Sequence, residues 1–205
     1  ADVIDCLRGG LNVPVTLSVG EHARAAYALW KEAGAVRFLL KHETADPLLY
    51  EALHPGHVLA ERIACLRVLQ RLGYEIGSGF MVGLPGQTWD DLAEDLECFR
   101  RLDLDMIGVG PFLPHPATPL GQAAPPAGRE QVPATASLTC QVVALARLLC
   151  PRANIPATTA LDALAGRRGW ELGLTKGANV IMPNLTPLAY RALYEIYPGK
   201  ELLRE

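Results

Sequence analysis

The side chains able to do chemistry in this chain gather where short apolar runs end. VPVTLSVGE (13–21) leads into Ser18 and Glu21, AVRFLLKHET (35–44) into His42 and Glu43, and ANIPATTA (153–160) into Thr158 and Thr159. LDMIGVGPFLPHP (104–116) carries Met106 and His115, and ANVIMPN (178–184) closes on Met182, Pro183 and Asn184. A carboxylate at the position of Glu43 can accept from a ligand amine or ribose hydroxyls, or it can cap the helix that follows. Arg62, on the next helix but one, can clamp a ligand carboxylate through two parallel N–H bonds, or it can lie solvated on the helix surface. Thr16 and Ser18 share strand parity, with Val15 and Leu17 on the opposite face. The hydroxyl face is therefore expected inside the fold, satisfied by a ligand or by neighbouring strands. Thr158 and Thr159 offer hydroxyls to an anion or to their own backbone. His115, between Pro114 and Pro116, is either an acid, base or ligand, or an exposed imidazole on a stiff loop. Tyr190, Tyr194 and Tyr197 recur at i, i+4 and i+7, one helical face that either packs or points phenols into a cavity.

Elements of two kinds must position these groups. The five runs above and YEIGSGFMVGLPGQT (74–88) read as six strands. Between them, 22–34, 46–53, 58–73, 88–102 and 134–150 show apolar spacing near 3.6 and read as helices. Gly34 and Gly73 stand where helix-ending residues belong, and Thr88 with Asp91 makes a loose capping box. The stretch 121–134 reads as a surface loop. GSGFMVGLPGQT places four glycines in twelve residues, suggesting a bulge or a flat wall; it contains neither GxGxxG nor a Walker A pattern. Strand–helix alternation with chemistry at the strand carboxyl ends predicts an α/β fold, a (β/α)8 barrel of the TIM type. Six βα units are visible, expected to be strands 3 to 8, with two further units upstream of Ala1. Residues 1–205 are expected to be the C-terminal part of that single domain.

Composition narrows the function classes. Half of the 205 residues are hydrophobic, a fifth are charged, and the net charge is −3. That balance suits a soluble globular protein without a basic stripe for nucleic acid or a polybasic membrane patch. No apolar run reaches eighteen residues, so no transmembrane helix is expected. The five cysteines are widely spaced, with no CxxC or CxxxCxxC, and read as reduced thiols in a cytoplasmic protein.

The order and wording of six blocks carry a resemblance. VTLSVGE, WKEAGAVRFLLKHETADP, MVGLPGQTWDDLAEDL, DMIGVGPFLPHPATPL, NIPATTA and GANVIMPNLTPLAYRALYEIYPGK span nearly the whole chain. Together they closely resemble the radical SAM maturases of FeFe-hydrogenase, the HydE type; GPFLPHPATPL and NIPATTA are fairly specific to that group. Biotin synthase and 3-methylornithine synthase share the barrel and looser versions of the HET and GLP segments. The resemblance implies a 4Fe–4S cluster held by CxxxCxxC after the first barrel strand, whose open iron chelates S-adenosylmethionine. It implies reductive cleavage to a 5′-deoxyadenosyl radical that attacks a substrate deeper in the barrel. In the maturase that substrate is a cysteine-bound iron carbonyl cyanide unit supplied by HydG, and the product passes to HydF for assembly of the di-iron subcluster.

By the same resemblance, Glu43 and Arg62 contact S-adenosylmethionine, Arg62 through its carboxylate. Ser18 is a third contact and Met106 lies against the adenosyl part. Thr158 and Thr159 line the lower cavity, where an anion or substrate carboxylate sits, and Met182, Tyr194 and Tyr197 belong to its wall. Three departures stand out. CxxxCxxC is absent, so a fragment of this extent does not bind the cluster alone. Lys41 stands where the maturases often have arginine, replacing a planar fork with a point charge. Leu185 replaces an expected aromatic. Two alternatives stay open: a methylornithine or biotin synthase-like radical enzyme, and a non-catalytic barrel fragment.

Overall fold

A computed structural model describes residues 1–122, 130–166, 168–191, 193 and 196. The elements in chain order are α1 (Asp2–Leu11), β1 (Val15–Leu17), α2 (Arg24–Glu32), β2 (Ala35–Leu39), α3 (Pro47–Leu53), α4 (Leu59–Arg71), β3 (Glu75–Val82) and α5 (Trp89–Leu102). There follow β4 (Met106–Pro111), α6 (Pro119–Gln122), α7 (Ala136–Leu149), β5 (Pro156–Ala157), α8 (Thr159–Leu164), α9 (Gly169–Thr175), β6 (Val180–Ile181) and α10 (Leu188–Arg191). All six expected strands are present. β1 to β4 form one parallel sheet in sequence order, and β5 pairs with β6, also parallel. A parallel bridge between Met106 and Asn154 joins the two sheets, with Asn154 N–H on Asp105 O (2.8 Å) and Ile107 N–H on Asn154 O (2.9 Å). Strands therefore follow one another around a curved wall, as βα units require, and the architecture is a partial (β/α) barrel.

Local sequence explains most boundaries. Thr88 and Asp91 form the full reciprocal capping box at the start of α5. Gly34 (φ 102°) and Gly73 (φ 79°) follow α2 and α4 in the left-handed region, where a Cβ would be strained. The terminal strands are shorter than their apolar runs. β5 stops at Ala157 because the Thr158 hydroxyl accepts from Leu161 N–H and opens α8 instead. Pro156, lacking an N–H, limits pairing there further. α1, α6, α8, α9 and α10 were not marked out as helices by apolar periodicity; all five have ten residues or fewer, and α6 and α10 are a single turn. Of the expected loop 121–134, residues 121–122 end α6 and 123–129 lie outside the described residues.

The core lies between the sheet and its helices. Phe38, Ile76, Phe80, Ile107 and Val109, which alternate along β2 to β4, are buried with Tyr27, Leu66, Leu69, Phe99, Val142 and Val143. Phe80 stacks on Phe99 with ring centroids 5.1 Å apart. Each large side chain so buried contributes roughly 1.5–3 kcal/mol. Among the described residues, no helix is long and apolar enough to cross a membrane.

Candidate functional site

The other face of the same strands lines a cavity of about 480 Å³. Leu39 and Lys41 from β2 and its extension, Met81 from β3, and Met106, Gly108 and Gly110 from β4 make its floor and wall. Phe112, Leu113 and His115 beyond β4, Thr158 to Ala160 beyond β5, and Met182 beyond β6 close it. That size suits a small-molecule site. Glycine is needed on this face: a Cβ on Gly79 would stand 1.9 Å from the Gly108 carbonyl oxygen, and one on Gly110 would stand 3.0 Å from Thr158 Oγ1. The glycine-rich segment thus serves as a wall where strand backbones come close.

The cavity is walled by methionine, leucine and phenylalanine and presents few polar groups. The Lys41 stem lies over Gly108, its Cε 3.3 Å from where a Cβ would stand, and no hydrogen bond or ion pair engages Lys41 among the described residues. His115 Nδ1 accepts from Ala117 N–H at 3.1 Å, so in the neutral ring Nε2 carries the hydrogen. With the hydroxyls of Thr158 and Thr159, these groups form a set rich in donors. The chemistry it suits is an anionic or acceptor-rich ligand with an apolar body.

Four of the residues named from the sequence therefore come together: Met106, Thr158, Thr159 and Met182. Lys41 and His115 join them. Tyr194 and Tyr197 lie outside the described residues, and Tyr190 is exposed on α10. Leu185 is exposed as well. Ser18 and Thr16 are exposed while Val15 is buried, so the expected parity is present. Their hydroxyl face, expected inside the fold, is instead open to solvent, with β1 at the edge of its sheet and no described element covering that face. Ser18, Glu43 and Arg62 are not lining residues of the cavity.

Glu43 and Arg62 belong to a polar region at the carboxyl end of β2. Glu43 has φ 65°, uncommon for a residue with a side chain. Its N–H donates to Gly79 O (3.0 Å), and it bridges to Phe80, which holds the turn in place. One carboxylate oxygen, Oε2, is buried without a hydrogen-bond partner. Such an atom fits an incoming donor such as an ammonium or a hydroxyl. Arg62 is engaged by two partners on its Nε edge, with Nε 2.6 Å from Glu21 Oε1 and donating to the Tyr50 hydroxyl at 3.0 Å. Its charge is also felt at His42, the neighbour of Glu43.

Beneath Glu43 lies a fully buried polar network. His42 Nδ1 is 2.9 Å from Ser78 Oγ, which donates to Leu40 O (2.9 Å). Asp95 accepts from Ala45 N–H on one oxygen and from Gln87 Nε2 on the other (2.9 Å). Gln87 Oε1 in turn accepts from Gly83 N–H (2.7 Å). Burial, with smaller contributions from the Lys41 and Arg62 charges, lowers the His42 pKa to about 3. Burial raises the Asp95 pKa to about 7, against the opposing hydrogen bonds from Ala45 and Gln87. His42 is thus neutral, and its 3.9 Å approach to Asp95 is not an ion pair. The sequence placed His42 at the strand end but did not reveal that it faces the helices. Its even parity with Phe38 and Leu40, both core residues, is the signal that would have done so.

Among the described residues, no group of three or more His, Cys, Asp or Glu is arranged to hold a metal ion. Cys6 is exposed, Cys98 and Cys140 are buried, and Cys65 and Cys150 are half-buried, all as free thiols.

Residues 4–99 match the radical SAM superfamily. The chain is 52% identical over 190 residues to the [FeFe] hydrogenase maturase subunit HydE of Thermotoga maritima, which covers 93% of this chain and 52% of that protein. Its fold superposes on the crystal structure of methylornithine synthase (PylB) with a TM-score of 0.75, at 27% identity, over 88% of this chain and 50% of that one. The maturase HydG shares the fold at a TM-score of 0.66 and 16% identity, over 88% of this chain and 41% of that one. The chain spans about half the length of the relatives it matches.

Proposed function

Because this chain carries a radical SAM domain, we propose that it forms part of an S-adenosylmethionine radical enzyme that acts in building the di-iron subcluster of FeFe-hydrogenase. The 52% identity to HydE supports the maturase assignment over other members of the superfamily. Working with HydG and HydF, in the cytoplasm, belongs to the same reading. S-adenosylmethionine and a 4Fe–4S cluster, when bound, would supply the chemistry of a 5′-deoxyadenosyl radical.

The observation that carries the reading is the buried, partnerless Oε2 of Glu43, two residues along the chain from Lys41, which lines a cavity of about 480 Å³. Glu43 would accept from the cofactor's ammonium or ribose hydroxyls, and Arg62 would pair with its carboxylate. Such charge-assisted bonds contribute roughly 1.5–3 kcal/mol each. Met106 on the cavity wall would lie against the adenosyl part, and Ser18, the residue after β1, would contact the cofactor from the side. Lys41, Thr158 and Thr159 would hold an anionic group of the substrate, with Met182, Tyr194 and Tyr197 on the surrounding wall. The apolar surfaces of Met81, Phe112 and Leu113 would keep water from the reacting centre. A methylornithine synthase-like substrate is the second reading, supported by the 27% identical PylB fold and by an ammonium at Lys41 suited to an amino-acid carboxylate.

The test uses the full-length protein, reconstituted without oxygen. Under reducing conditions it should release 5′-deoxyadenosine. Glu43→Gln should weaken S-adenosylmethionine binding by about tenfold or more while leaving the melting midpoint in place. Wild-type protein that carries a complete cluster yet forms no deoxyadenosine would sink the proposal.

A further inference from the structure

We propose that Glu21, with Tyr50, is the positioning residue for Arg62, holding its guanidinium in the orientation that receives the carboxylate of S-adenosylmethionine. The inference rests on the reading of Arg62 given above and goes beyond it by assigning a role to two further residues. Three separate elements converge here. Glu21 lies between β1 and α2, Tyr50 is on α3, and Arg62 is on α4.

The guanidinium is a planar fork whose N–H groups point in fixed directions. Its Nε edge is taken: Nε lies 2.6 Å from Glu21 Oε1 and donates to Tyr50 Oη at 3.0 Å. Tyr50 is fully buried, so its hydroxyl is a fixed point rather than a roving surface group. The Arg62 charge also lies within 5.9 Å of the Tyr50 ring centroid. With Nε held on one edge, the plane of the fork is set, and the edge formed by the two terminal nitrogens is the one suited to a bidentate carboxylate. An arginine free on an exposed helix would have to lose rotamer freedom on binding; one already pinned does not, and affinity rises accordingly. Both side chains are mostly covered, 17% exposed for Arg62 and 25% for Glu21. His57 also faces Glu21, with Nδ1 4.0 Å from Oε2, and the Glu21 charge is felt at Tyr27 and Cys65.

The opposite role is physically possible: Glu21 could occupy Arg62 as a competing carboxylate. The two roles predict opposite signs. Positioning predicts that Glu21→Ala weakens ligand binding, and competition predicts that it tightens binding. The Tyr50 hydroxyl favours positioning, since a competitor needs no second, buried anchor on the same nitrogen.

The experiment measures ligand dissociation constants by calorimetry on full-length protein with its cluster reconstituted. The variants are Glu21→Ala, Glu21→Gln, Arg62→Ala and the Glu21→Ala/Arg62→Ala pair. Two probes are used: S-adenosylmethionine, and 5′-methylthioadenosine, which keeps the nucleoside and lacks the carboxylate. Glu21→Ala should raise the dissociation constant for S-adenosylmethionine about tenfold and leave that for 5′-methylthioadenosine unchanged. Glu21→Gln, which keeps an acceptor oxygen, should recover most of the loss. In the Arg62→Ala background, Glu21→Ala should add nothing, because coupled residues are not additive. Equal weakening of both probes, full additivity, or tighter binding in Glu21→Ala would each overturn the positioning role. No effect of Arg62→Ala on S-adenosylmethionine would overturn the reading of Arg62 itself, and this inference with it.

Discussion

Two buried groups with opposite proton affinities make a sharp prediction about pH and stability. His42 and Asp95 are both fully buried, His42 with its pKa lowered to about 3 and Asp95 with its pKa raised to about 7. On unfolding, each returns to its ordinary value, 6.5 for the imidazole and 3.8 for the carboxyl. Between pH 4 and 6.5 the folded protein keeps Asp95 largely protonated while the unfolded chain releases that proton. Stability from Asp95 is therefore present at low pH and lost as pH rises toward 7. His42 acts in the reverse sense, since the unfolded chain takes up a proton that the folded one refuses. Stability from His42 is present above pH 6.5 and lost as pH falls toward 3.

Each proton corresponds to a slope of about 1.4 kcal/mol per pH unit, so in the shared window the two effects cancel. Breaking the pair exposes them. His42→Asn leaves Asp95 alone, so its stability relative to wild type should fall as pH rises from 4 to 6.5, by roughly 2–4 kcal/mol in all. Asp95→Asn leaves His42 alone, and its stability relative to wild type should rise over the same window by a similar amount. Urea midpoints of the full-length protein at four pH values, each expressed as a difference from wild type, read this directly. Relative slopes of the same sign in the two variants, or two flat lines, would refute the claim that burial holds these groups in opposite protonation states.

Two further outcomes follow from single backbone positions. Glu43→Gly should be more stable than Glu43→Ala by about 1 kcal/mol in thermal or urea unfolding, because φ 65° costs a residue with a Cβ and costs glycine little; equal stability would mean the turn relaxes once the carboxylate is gone. Gly79→Ala should lower stability by about 1–3 kcal/mol, since its Cβ would meet the Gly108 carbonyl at 1.9 Å and force β3 and β4 apart; an unchanged urea midpoint would contradict the close approach.

Much of this protein is legible in its residue order. All six strands and the helices α2, α3, α4, α5 and α7 are marked by apolar periodicity, and the capping box of α5 and the glycine ends of α2 and α4 are local signals that need no distant partner. Strand parity already placed Thr16 and Ser18 on one face; that Met106, Gly108 and Gly110 share the cavity face of β4 emerged from the structure. What periodicity reports is which face a residue takes, not which residue it meets there. The meeting of Arg62 with Glu21 and Tyr50, and of Asp95 with Ala45 and Gln87, depends on how whole elements dock, across sequence gaps that no local pattern spans. Glu43 shows the limit most clearly. It continues the parity of Leu39 and Lys41, yet its left-handed φ, imposed by a hydrogen bond to Gly79 some 36 residues away, interrupts that alternation and leaves a buried oxygen waiting for a donor.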